Sequence, residues 1–389
     1  MSLLELITKA SSASATMPEE ESNYPIVLNP DPIMLSLTPE SEDPKPERPI
    51  KKVTGWEISQ TDKELIELGE QFCKQLRMKL KNANHHGKDE FLELFTSHLV
   101  KIGEKVGISV ELDQLEEGYA CKLIEKLGRL MGRDVRSLIL EACIVFEVWG
   151  VLESLVTNGL VEHSCTSNLV HNLIEKRKSD LIDLCVKHLS DIQTYELMCI
   201  LKYFLLLPDD GYESLVSVRK DWESQALLAI EKASGKGVSG KHKSLAKDSS
   251  LLVMLAHDGF SVTELCLHSL FSSQNLDEAI FSACIGKLNG EELKSLIRYF
   301  GKWLRKYERF PQVVPCPKAS SALGLKVCDW IPALENVIKC LSLVVDEHFS
   351  SLALQSEVRE ELRSFEGVVN SLASEARLCG TLAILTKRL

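Results

Sequence analysis

From about residue 61 onward, apolar residues recur three and four positions apart, and short polar turns cut the pattern into helix-length pieces. Thr61-Asp62-Lys63-Glu64 places Thr and Glu at capping-box spacing ahead of Leu65, Leu68, Phe72, Leu76 and Leu80, which predicts the first helix there. The same periodicity predicts helices over 88–106, 113–131, 134–158, 166–176 and 179–189, then over 248–258, 262–273, 277–288 and 290–309. After a Pro-rich connection at 311–317, Asp329 reads as an N-cap with Pro332 in the first turn of a helix reaching His348, and a final helix starts near Ser356.

One block occurs twice. Leu197, Ile200, Leu201, Lys202, Tyr203 and Phe204 recur 96 positions later as Leu293, Leu296, Ile297, Arg298, Tyr299 and Phe300. Each copy follows a short polar turn (Ser190-Asp191, then Asn289-Gly290) and an apolar helix ending in Leu189 or Leu288. The repeated unit is therefore a helix-turn-helix. Such a unit cannot bury its apolar face alone, so the predicted fold is all-α: stacked antiparallel helical hairpins in an α-solenoid-like array. Leu197–Leu207 is apolar nearly all round, which marks a helix buried on most sides.

Four segments follow from where the pattern stops. Residues 1–58 form an acidic, Pro-rich leader whose composition cannot offset its ordering entropy, and it is expected to be disordered. Its apolar patch, Tyr24 to Leu37, could act as an extended strap. Residues 59–232 are expected to form an N-terminal helical array, 233–247 a flexible basic loop that marks the main division, and 248–389 a C-terminal helical domain.

Charge changes this picture only locally. The net charge is −11, but residues 1–50 hold nine acidic and three basic side chains, so the remainder is nearly balanced. A surface that is basic throughout is excluded, whereas a basic face is not. The twelve cysteines form no Cys-x-x-Cys pair, and Cys143, Cys185, Cys199, Cys266, Cys284 and Cys340 sit among apolar residues, as core thiols do in a reducing compartment. Leu197–Leu207, the longest apolar run, is about half of the ~20 residues that a membrane span requires. No membrane span is expected.

Catalytic signatures are absent, and their nearest imitations fail on chemistry. Gly235 to His242 resembles a phosphate-binding loop, yet His242 stands where the metal-binding hydroxyl belongs, and the preceding Trp222–Lys232 reads as helix instead of strand. His163, Cys165 and His171, and Cys185 with His188, lack the tight pairs that structural zinc uses. No enzyme activity, cofactor, metal or small-molecule substrate is expected. The sharpest local signal is helix 290–309. At 100° per residue, Lys294, Arg298, Lys302, Arg305 and Arg309 fall within an arc of about 80°, opposite Leu293, Leu296, Ile297, Phe300, Trp303, Leu304 and Tyr307. This stripe is either a solvated amphipathic face or a contact for RNA phosphates or an acidic partner, with Lys236, Lys241 and Lys243 of the basic loop as further contacts.

The run from Leu293 through Arg298-Tyr299-Phe300-Gly301-Lys302-Trp303-Leu304, then Trp330, then Asp346-Glu347-His348-Phe349, and a closing helix with Glu375-Ala376-Arg377-Leu378 resembles a known type of helical tail. It is similar to the C-terminal regions of nucleolar proteins of the small-subunit processome, including the nucleolar protein 11 family and related WD-repeat subunits. Leu184 to Leu189 and Leu201 to Phe204 fit the preceding helical repeats of that group, so the likeness covers residues 165–389. The resemblance implies the helical part of such a protein without its β-propeller. It further implies a non-enzymatic subunit in the nucleolus or nucleus, supporting pre-ribosomal RNA processing and small-subunit biogenesis through helix contacts with other protein subunits. The alternative is a general helical adaptor in nucleus or cytoplasm, unrelated to ribosomes.

Overall fold

The computed structural model describes residues 26–28, 50–52, 59–82, 87–108, 118–235, 242–273, 276–354 and 356–386. They divide into two units, residues 1–66 and 67–389. In the first unit, β1 (Ile26–Leu28) and β2 (Ile50–Lys52) pair antiparallel with Ile26 opposite Lys52. These two short strands lie inside the leader expected to be disordered, and the rest of residues 1–58 falls outside the described residues. Helix α1 (Gln60–Lys81) starts two residues before the expected position: the backbone N–H of Asp62 donates to Ser59 Oγ at 3.1 Å, so Ser59 caps in place of Thr61.

Among its described residues the second unit is built from helices and the turns that join them, as the periodicity predicts. After α1 come α2 (Lys88–Val106), α3 (Tyr119–Leu127), α4 (Arg133–Val145), α5 (Trp149–Thr157), α6 (His163–Glu175), α7 (Ser179–His188) and α8 (Thr194–Leu205). Then follow α9 (Leu215–Ala233), α10 (Lys243–His257), α11 (Val262–Ser272), α12 (Glu278–Ile285), α13 (Gly290–Arg309), α14 (Lys318–Leu323), α15 (Leu334–Leu354) and α16 (Ser356–Thr386). From α3 to α9 a helix packs on the next but one, α3 on α5, α5 on α7 and α7 on α9, with α4 on α6 and α6 on α8, while α4 also packs on α5 and α6 on α7. Two layers of hairpins result. Contacts between neighbouring hairpins, from α4 and its ends to α6 and its ends, join residues about one hairpin apart: Lys176 Nζ with Glu147 Oε1 at 2.6 Å, Arg133 Nε with Glu162 Oε2 at 3.2 Å, and Cys165 Sγ with Ser137 Oγ at 3.3 Å.

Several expected boundaries move. The helix expected over 134–158 is two helices, because Glu147 adopts φ 54° and the N–H of Val148 reaches back to the Cys143 carbonyl. The same reverse turn recurs at Arg177, with φ 55° and the N–H of Lys178 on the Leu173 carbonyl, and again with glycines at Gly107 and Gly159. The apolar period runs straight through Glu147, and a non-glycine residue at that position gives no turn signal. Glu147→Gly should relieve the left-handed strain and raise stability by roughly 0.5–1 kcal/mol, even without the exposed Lys176 pair. Urea denaturation would detect it, and a loss of stability would show that the ion pair outweighs the backbone.

The basic loop does not divide two bodies. The helices on its two sides, α9 and α10, pack against each other, and Ser250 Oγ donates to the Ala229 carbonyl at 2.6 Å inside the single 67–389 unit. Helix α10 begins at Lys243, earlier than the expected 248. Asp329 does not cap α15: it lies in a 3-10 turn, Lys326–Trp330, and α15 begins only at Leu334. The Pro332 carbonyl between them accepts the Tyr307 hydroxyl at 2.7 Å.

Candidate functional site

The two copies of the repeated block lie against each other. Helix α8 packs on α12 and α13, and Lys202 Nζ lies 3.7 Å from Glu292 Oε2. Glu292 is buried, and it also completes the cap of α13. Its N–H donates to Asn289 Oδ1 at 3.0 Å, while its carboxylate accepts the Asn289 N–H at 2.7 Å. This box fixes where α13 starts, and so which way every later side chain of the helix points.

The inner face of α13 enters an aromatic cluster centred on His268 of α11. His268 is fully buried, with ring centroids 4.5 Å from Phe260, 4.9 Å from Trp303 and 5.6 Å from Tyr299. Its Nε2 lies 3.1 Å from the Ala256 carbonyl, which can only accept, so Nε2 carries the proton. Nδ1 is then an acceptor for the Tyr299 hydroxyl at 2.9 Å and the Trp303 indole N–H at 3.3 Å. Burial pushes the imidazole down to about 3, with Lys306 and Lys302 adding to the same effect, so it is neutral at physiological pH. A ring with both nitrogens occupied by structural partners works as a core brace. Sequence reasoning missed it because a lone histidine on an apolar helix carries no distinguishing signal.

The outer, basic face is largely engaged inside the protein, which corrects the picture of a purely solvated stripe. Lys302 Nζ lies 2.7 Å from Glu264 Oε2, donates to the Gly259 carbonyl at 3.1 Å, and sits over the Phe260 ring. Arg298 Nε lies 3.3 Å from Glu361 Oε1 of α16. Arg305 donates to Ser364 Oγ at 3.0 Å, lies 3.9 Å from Glu361 Oε2, and stacks over Phe365 at 5.1 Å. Lys294 is half-buried and also engaged, and the exposed Arg309 lies over the Phe310 ring. Lys243 is exposed at the first position of α10, far along the chain from the stripe, and Lys236 and Lys241 fall outside the described residues. The structure thus groups Arg298 and Arg305 toward α16, turns Lys302 toward the start of α11, and does not bring the loop lysines into one described site with them.

Gly301, between the two arginines, is what lets α16 approach. A Cβ there would stand 2.1 Å from Phe365 Cζ, and Phe365 is buried. Gly301→Ala should therefore expel the Phe365 ring and cost about 1–3 kcal/mol. Hydrogen exchange should show protection lost along α16 and kept in α11; equal protection in the variant and the parent would contradict the close approach.

The acidic groups with raised pKa do not share a place with the described cavity. Burial raises the Asp180 carboxyl, and burial followed by Asp180 and Asp221 raises that of Glu153. Burial opposes the Lys187 ammonium, yet the ion pair with buried Asp183 outweighs it and holds Lys187 above its ordinary value. The cavity, about 260 Å³, lies instead between α12 and α15 and is lined by Phe271, Phe281, Cys340, Leu343, Asp277 and Lys339. Its Asp277 caps α12, and Lys339 is paired with Glu335 at 3.0 Å. Among the described residues, no group of His, Cys, Asp and Glu is placed to hold a metal, and no helix is long and apolar enough to cross a membrane. Burial holds the thiols of Cys185, in the core, and of the half-buried Cys340, on the cavity wall, up to about 12. Comparison with protein families and with curated proteins finds no match for this chain.

Proposed function

We propose that the chain is a non-enzymatic α-helical assembly subunit that supports pre-ribosomal RNA processing and small ribosomal subunit biogenesis in the nucleolus or nucleus. The observation that carries the assembly role is the doubled helix pair. Each copy buries its apolar face on its neighbour, with Lys202 of one reaching Glu292 of the next, and arrays built this way offer extended surfaces to partners. The nucleolar setting is supported by the resemblance of Leu293–Leu304 and Asp346–Phe349 to processome tails. The internal engagement of Arg298, Lys302 and Arg305 favours protein subunits over direct RNA contact as the principal ligands.

A second reading, a helical adaptor in nucleus or cytoplasm unrelated to ribosomes, rests on the same array. Affinity purification of the tagged chain from cells at moderate and high salt separates the two. Recovery of processome subunits with precursor ribosomal RNA is expected; recovery of a different, RNA-free set would discard the ribosomal reading and leave the adaptor.

A further inference from the structure

The repeat makes two cations equivalent, because Lys202 of α8 and Arg298 of α13 occupy the same position 96 residues apart. Lys202 faces the next copy of the block, through Glu292. Arg298 faces α16, through Glu361. Helix α16 therefore stands against α13 where a further helical unit would continue the array. Its chemistry is specific: the Glu361 carboxylate lies between Arg298 and Arg305, Ser364 accepts from Arg305, and the Phe365 ring fills the hollow left by Gly301. Among the α16 residues whose side chains are described, only Phe365 and Val368 are buried, and the cations of the ion pairs are exposed, Arg298 at 52% and Arg305 at 49%, against a half-buried Glu361. Exposed pairs of this kind add little holding energy, and elements with few buried contacts open locally far more often than the whole fold.

We infer that the Arg298–Gly301–Arg305 groove of α13 is a docking site for an acidic amphipathic helix of a partner protein carrying Glu and Phe four residues apart, and that α16 occupies it in cis as a displaceable stand-in. Charge complementarity and the ring-sized hollow define the occupant: two guanidiniums take the carboxylate, and a side-chain-free position takes the aromatic ring. The inference rests on the assembly-subunit reading and names the partner chemistry for it. Its energetic form is a competition, in which cis occupancy lowers apparent partner affinity by the fraction of time the groove is open.

The test uses the full chain and a fluorescein-labelled synthetic peptide with the sequence of residues 356–374. Phe365→Ala in the chain weakens the cis helix and should bind the peptide at least tenfold more tightly than the parent. Adding Arg298→Glu and Arg305→Glu should abolish that binding, as should replacing the Glu and Phe of the peptide by Lys and Ala. Equal affinity of parent and Phe365→Ala, absence of binding to both, or indifference to the arginines would overturn the proposal. So would displacement of the peptide by a single-stranded RNA of about 20 nucleotides, which would assign the groove to nucleic acid. Should Phe365→Ala not fold, hydrogen exchange of the parent decides: amides of 359–374 should exchange at least tenfold faster than those in the core of α13, and equal protection would show that α16 is not displaceable. Cellular recovery of partner subunits without peptide capture would leave the assembly role and remove this groove from it, whereas peptide capture without such subunits would do the reverse.

Discussion

Trp303→Ala is expected to lower the unfolding free energy of the 67–389 unit by about 3–5 kcal/mol. The indole is 1% exposed and meets three partners at once, with ring centroids 4.9 Å from His268, 5.0 Å from Phe260 and 5.5 Å from Tyr307. Truncation removes that burial and opens a cavity that its rigid aromatic walls cannot close. It also takes one of two donors from His268 Nδ1, leaving only the Tyr299 hydroxyl. These losses fall on α10, α11 and α13 together, so a single cooperative shift in urea midpoint is expected. A change under about 1 kcal/mol would show that the cluster is peripheral to folding.

Acid should weaken the fold through the same cluster. The His268 pKa is near 3 in the folded chain and near the ordinary 6.5 when unfolded. Between those values the unfolded chain binds a proton that the folded chain refuses, so the stability present above pH 6.5 is lost progressively as pH falls toward 3. The full effect is on the order of 5 kcal/mol. His98, stacked on Phe72 at 4.2 Å and lowered to about 4 chiefly by burial, acts in the same direction. Glu153 and Asp180, whose carboxyls are raised, act in the opposite one. The difference between the parent and His268→Asn isolates the one ring: urea stability measured from pH 7 to pH 4 should fall more steeply in the parent. Parallel slopes would refute the neutral, fully braced imidazole.

The helical class and most helix positions were legible because burial on one face imposes a three-to-four residue period that needs no knowledge of partners. The Phe300, Trp303 and Tyr307 face of α13 was readable for the same reason, since it depends on spacing within one helix, whereas Asn289 read only as part of a polar turn and its box with Glu292 came from the structure. The break at Glu147 was not readable. A residue in the left-handed region that is not glycine is held there by the packing of α4, α5 and their neighbours, and its local sequence favours continuing the helix. The Ser59 cap was missed because Thr61 offers a competing hydroxyl at the same spacing to Glu64.

The basic stripe shows where the boundary lies between the two kinds of information. By itself the sequence determined that Lys294, Arg298, Lys302, Arg305 and Arg309 share one side of a helix, because that follows from 100° per residue alone. Only the tertiary structure decided which carboxylates they meet. Glu264 lies 38 positions from Lys302 and Glu361 lies 63 from Arg298, and no local rule links positions so far apart. Gly301 carries the same lesson: in the sequence it is a mildly unfavourable helix residue, and the absence of its side chain acquires meaning only where the Phe365 ring of α16 fills the space. Periodicity fixes what a helix must hide, whereas the identity of the surface it hides against is a property of the folded chain as a whole.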